Sequence, residues 1–341
     1  MDGVKISKWP RLKNPWLIVV WPGMGDVAYK AAAYLVEKLK TEEFASIPPE
    51  EFFYLVGSVI HDGVLSIPEL PCGKFYYWKN PAAKSIRRRG GSANHCGEYT
   101  KPAHDLIIFI SNAQPDLAKA EEYSKRIIKV AKGFKVEMIV SFASMPQPID
   151  HTQEPRVWAA TTCLELKDNF KKQNLNILSS GQISGMNGLI LGIAKRDGFK
   201  GFCLLGEIPF YTIQIENPRA TLAVLRVLTK LLNIQIDFTG LSEQIHTIDT
   251  EINKLLDYLK IGVEGPDPIG EEEIEKIKKI LSQLTKLPVS VKDKIEKLFE
   301  MVKTDTSKAA ELKNELDRWN VYKEHEDRFL DLFRKKNKKE N

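Results

Sequence analysis

The chain has 341 residues, of which 43% are hydrophobic and 28% charged, and its net charge is +5 at pH 7. That balance is ordinary for a globular protein with a large core and room for two parts, and so small a positive surplus gives no footprint for a nucleic-acid partner. No apolar run approaches the roughly 20 residues of a membrane helix, and the opening MDGVKISKWPRLKNP lacks the apolar core of a secretion signal, so the expectation is a cytoplasmic protein with no membrane partner.

The pattern of apolar residues predicts alternating strands and helices up to Leu241. Leu17–Trp21 reads as a buried strand, followed by the turn Pro22-Gly23-Met24-Gly25-Asp26 and a helix carrying Val27, Ala31, Tyr34, Leu35 and Leu39 on one face. A strand over Phe52–Val59 and a short hairpin near Phe75–Trp78 come next. Leu106–Ile110 and Val136–Phe142 read as strands around a helix over Leu117–Ala131. Shorter strands at Val157–Thr162 and Leu175–Ser179 flank a helix near Leu164–Phe170. A glycine-broken loop (Gly181, Gly185, Gly188) leads into the segment Ile183–Tyr211, with a helix through Leu189, Ile190, Ile193 and Ala194, a stop at Gly198, and a strand over Gly201–Leu205. A helix over Ala220–Leu232 closes the series. Such alternation predicts an α/β fold, a mostly parallel or mixed sheet with helices on both faces.

From Ser242 onward the strand signal vanishes. Ile245, Ile248, Ile252, Leu255 and Leu259 form one helical stripe. Gly262–Gly270 reads as a linker, and further stripes run through Ile274–Leu284, Ile295–Val302 and Leu312–Phe333. The expected division is an α/β domain over 1–241, amphipathic helices over 242–334 and a disordered basic tail over 335–341. Burying one stripe of five Leu/Ile side chains is worth on the order of 7–15 kcal/mol before entropy is subtracted, so these faces need a partner surface.

The candidate chemistry is sparse. The Gly23–Asp26 turn joins a strand to a helix, where α/β proteins seat phosphates and carboxylates; Asp26 as a helix cap is the structural alternative. Arg87, Arg88 and Arg89 with Lys79 and Lys84 form a basic cluster that suits an anion or an acidic protein surface, or simply a solvated loop. His95, Cys96 and His104 lack the spacing of a zinc site, and no metal is expected. Four scattered cysteines without a CxxC pair argue against disulfides, and Cys163 and Cys203 read as buried thiols. His151 can serve as an acid or base in the loop Pro148–Pro155, or sit in a hydrogen-bonded turn. Glu207, placed at the end of the Gly201–Leu205 strand, faces a sheet-end crevice or accepts bonds in the following turn. No nucleophile elbow, zinc-protease motif or nucleotide fingerprint is present, and no cofactor is implied.

Four segments in order resemble the proteasome assembly chaperone 2 family: LIVVWPGMGDVAYKAAAYL, HDLIIFISNAQP with PIDHTQEPRVWAAT, ISGMNGLILGIAKRDGFKGFCLLGEIPFY, and ENPRATLAVLRVLTKLLNIQID. The resemblance runs from about Asn14 to Leu241. It implies a three-layer α/β/α sandwich like that of nucleoside phosphorylases, no shared catalytic set, and protein partners of the proteasome α-subunit kind. Some members dock through a C-terminal hydrophobic–Tyr–any tail; this sequence reads Lys338-Lys339-Glu340-Asn341 there.

Two functions are therefore expected to compete. One is a non-catalytic, homo-oligomeric, protein-binding scaffold. The other is an enzyme or sensor for a small anionic or nucleoside-like ligand at the sheet-end crevice, lined by Gly23, Gly25, Asp26, His151, Gly181, Gly185, Asn187 and Glu207.

Overall fold

The computed structural model describes residues 3–54, 58–61, 63–82, 103–261, 289–305, 308–318 and 322–334. The chain divides into two compact units, Met1–Pro268 and Ile269–Asn341. The basic residues Lys84 and Arg87–Arg89, the His95-Cys96 pair, the Gly262–Gly270 linker, the Ile274–Leu284 stripe and the 335–341 tail lie outside the described residues.

The first unit is built on a nine-stranded mixed sheet. Its strands are β1 (Lys5–Ile6), β2 (Trp16–Val20), β3 (Glu42–Ile47), β6 (Gly73–Trp78), β7 (Leu106–Ser111), β8 (Met138–Gln147), β9 (Val157–Thr161), β10 (Asn176–Ile177) and β11 (Lys200–Pro209). They lie in the order β1-β3-β6-β7-β2-β8-β11-β9-β10. The centre, β7-β2-β8-β11, is parallel, as right-handed crossovers through helices require. The flanks turn antiparallel at β6 on β7 and at β9 on β11. A separate two-stranded ribbon pairs β4 (Val59–His61) with β5 (Val64–Ser66).

Helices cover both faces. Strand residues alternate sides, so Leu17, Val19, Ile107, Phe109, Cys203 and Leu205 join α2 (Ala120–Gly133) and α4 (Met186–Arg196) in one core. On the opposite face α1 (Val27–Lys38) and α5 (Pro218–Leu232) pack together, and α5 in turn carries α6 (Thr239–Ile261). A shorter helix, α3 (Leu164–Lys172), sets Phe170 edge-on against Phe202, ring centroids 4.9 Å apart. The second unit packs α7 (Val289–Thr304), α8 (Ala309–Arg318) and α9 (Tyr322–Arg334) around Leu298, Phe299, Leu312, Leu316 and Phe329.

Several expectations need correction. Phe52–Val59 is not one strand. Phe52 and Phe53 turn back onto the Pro49 carbonyl at 2.9 and 3.0 Å and are buried there, because packing on Tyr123 outweighs their strand propensity. The strand on that side of the sheet is instead β3, between β1 and β6, whose opening Glu42-Glu43 hides it from propensity. Gly73–Trp78 is no isolated hairpin but a full sheet member between β3 and β7. The β4–β5 ribbon was announced by Asp62-Gly63 between two apolar pairs, the strongest short-range hairpin signal, and is absent from the sequence reading. The helix expected to begin the extension, α6, packs on α5 within the first unit. Cys203 is buried as expected, whereas Cys163 is only half-buried at the start of α3.

Candidate functional site

The turn after β2 sits at the C-terminal end of the parallel strands, between the ends of β7 and β8. Gly23 is extended (φ −161°) and has no need of glycine's freedom. Gly25 does: its φ is +63°, and a Cβ there would approach the Asn217 side chain to 3.3 Å. Its N–H donates to the Ile213 carbonyl at 2.7 Å, and its carbonyl accepts from the Asn217 N–H at 2.8 Å. The Ser144 hydroxyl donates to the Met24 carbonyl. Asp26 takes the left-handed conformation (φ 49°) and makes no side-chain bond to the first turn of α1, which corrects its reading as a helix cap. Burial holds its carboxyl above the usual carboxylate range and Glu216 adds to that, against a hydrogen bond from the Gly23 N–H and the charge of Lys30. Lys30 itself is ion-paired with Glu216 at 2.6 Å.

The second half of the site is the start of α4. Gly185 precedes it at φ +75°. The Met186 N–H donates to Gln114 Oε1 at 3.0 Å, while Gln114 Nε2 donates to the Pro22 carbonyl at 2.9 Å. Asn187, buried, accepts from the Trp21 N–H and donates to the Trp21 carbonyl, both at 3.0 Å. Its own carbonyl accepts from the Ser141 hydroxyl at 2.6 Å. Gln114 and Asn187 thus stitch the two glycine turns together. The Trp21, Gly25 and Met186 N–H groups, which a small anion could use, are engaged within the protein.

The other expected site residues lie apart from this stitch. Gly181 rests against Leu178. Glu207 is not at a strand end: β11 continues to Pro209, and the carboxylate is buried inside it. Glu207 accepts from the Arg156 N–H at 3.0 Å and the Trp158 indole N–H at 2.8 Å. His151 is buried under α6. Its backbone N–H donates to the Tyr211 hydroxyl at 2.9 Å, the ring Nδ1 lies 3.0 Å from that hydroxyl, and Nε2 lies 3.1 Å from Asn253 Oδ1. One tautomer satisfies all of these, with Tyr211 donating to Nδ1 and Nε2–H donating to Asn253. His104 is held at the other end of β2, 2.9 Å from the Asn14 carbonyl and tilted on Trp16.

The chemistry available follows from this packing. Cys203 lies wholly inside the sheet, and burial pushes its thiol up to about 12, which disfavours the nucleophilic thiolate. Among the described residues no three His, Cys, Asp or Glu side chains gather as a metal cage. The space beneath α6 beside His151 and Asn217 amounts to only about 10 Å³. A larger, open groove of about 350 Å³ lies elsewhere, between α1 and strands β6 and β7, lined by Tyr29, Glu37, Lys74, Tyr76 and Asn112. Sequence reasoning missed Gln114, Ser141, Ser144 and Trp158. Only the Asn112-Ala113-Gln114-Pro115 turn, directly after an apolar strand, carried a signal for any of them.

Comparison with known proteins agrees with the fold. Residues 17–256 match the model of the PAC2 family. An uncharacterised protein of Methanocaldococcus jannaschii is 28% identical over 258 residues, spanning 74% of this chain and 86% of that one. The crystal structure of Pyrococcus furiosus PbaB, an archaeal proteasome activator, is similar at 28% identity and a TM-score of 0.59, over 74% of this chain and 97% of that one. Pyrococcus furiosus PbaA, an archaeal homolog of proteasome-assembly chaperone, shares the fold at 22% identity and a TM-score of 0.54, over 82% and 99% of the two chains. No helix among the described residues is long and apolar enough to cross a membrane. A family match over residues 17–256, most of the length, places this chain in the PAC2 family.

Proposed function

We propose that the protein is a non-catalytic, homo-oligomeric scaffold of the assembly-chaperone type that works in the cytoplasm, without a cofactor, by binding other protein subunits. The observation that carries this reading is the closure of the sheet-end turn. The Trp21, Gly25 and Met186 N–H groups, the kind of donor a phosphate would need there, already donate to Asn187 Oδ1, the Ile213 carbonyl and Gln114 Oε1. Catalysis at that point would first have to break the bonds that hold α4 to β2. Kinship with PbaB and PbaA makes the proteasome core particle the partner to test.

The test is binding of the full chain to the purified core particle of its own organism. Co-migration in a native gel, with thermal-shift screens of phosphate, nucleosides and carboxylates giving no change, is the expected result. No co-migration, together with a rise in melting temperature on adding one of those small molecules, would overturn the reading in favour of a ligand sensor or enzyme.

A further inference from the structure

We draw no further inference here: the strongest candidate, the open groove of about 350 Å³ between α1 and strands β6 and β7, has charges along its walls that cancel in the Lys74–Glu43 and Lys38–Glu37 pairs, so nothing in the structure selects what covers it.

Discussion

The side-chain amide of Asn187 acts as a surrogate strand residue for Trp21, which lies 166 positions earlier, accepting from its N–H and donating to its carbonyl at 3.0 Å each. The backbone at the end of β2 is thereby paired where no strand can reach it. Because the Trp21 side chain is fully buried between Phe109 and Tyr123, water cannot take over these bonds.

Replacing Asn187 by Leu or Ala should therefore cost about 2–4 kcal/mol, since two buried backbone groups lose their partners at about 1–3 kcal/mol each. Asn187→Asp should fall in the same range: it keeps an acceptor for the Trp21 N–H but sets an oxygen against the Trp21 carbonyl. Urea unfolding of the three variants measures this, and a loss below about 1 kcal/mol in all of them would mean that the bridge is not holding the turn.

The glycines of α4 should separate into opposite signs. A Cβ on Gly188 would lie 2.1 Å from the Ile183 carbonyl oxygen, so Gly188→Ala forces the loop away from the helix and should cost about 2–4 kcal/mol. Gly192, in the same helix, has nothing within 4 Å of its Cβ position and faces solvent. Gly192→Ala should stabilise by about 0.5–1 kcal/mol, through helix propensity and a less flexible unfolded chain. Paired thermal melts of the two single variants decide it.

The fold was legible wherever periodicity came from burial on two faces. Leu106–Ile110 and Gly201–Leu205 are apolar throughout because helices lie on both sides, and both segments are strand, although β11 runs on to Pro209. Gly198 stops α4 in the left-handed region (φ +85°), as its place in the sequence requires. The flank was illegible for the converse reason: β3, between β1 and β6, opens with two glutamates and gains its strand character from pairing. At the site, the glycines and Asp26 were visible by type. Glu207 and His151 stay open between two roles in sequence because a titratable group looks the same whether it faces a crevice or a buried partner. Their partners, Trp158, Tyr211 and Asn253, are up to 102 positions distant.

Asp26 gives a pH dependence with a definite sign. Burial holds its folded-state pKa above the unfolded value, so the protonated form favours the native state. That contribution is complete below the unfolded pKa and is lost as pH rises through the folded one, leaving the ionised, half-buried carboxylate as a cost near neutrality. Asp26→Asn removes the ionisation while keeping an acceptor for the Gly23 N–H and a residue type tolerant of φ 49°. The variant should exceed the wild type in urea midpoint at pH 7, and the gap should close as pH falls past the carboxylate range. A gap that widens on acidification would reverse the assignment.

Truncation distinguishes the two compact units from the division that composition suggests. A chain ending at Pro268 keeps α6 whole, and its melting should match that of the first unit in the full protein. A chain ending at Leu241 removes Ile252 and Leu255 from the core, together with Asn253 from His151 and Asp249 from its ion pair with Arg219. Tyr34 would keep its bond to the Asp237 carbonyl at 2.7 Å, but with almost no helix beyond it to anchor. The two apolar side chains alone represent about 3–6 kcal/mol of burial, and the Arg219–Asp249 ion pair and the His151–Asn253 contact are lost with them. Against a total stability of about 5–15 kcal/mol, the shorter fragment should melt many degrees lower or fail to fold. Circular dichroism melts of the two fragments test this, and equal stability would mean that α6 contributes nothing to the unit on which it packs.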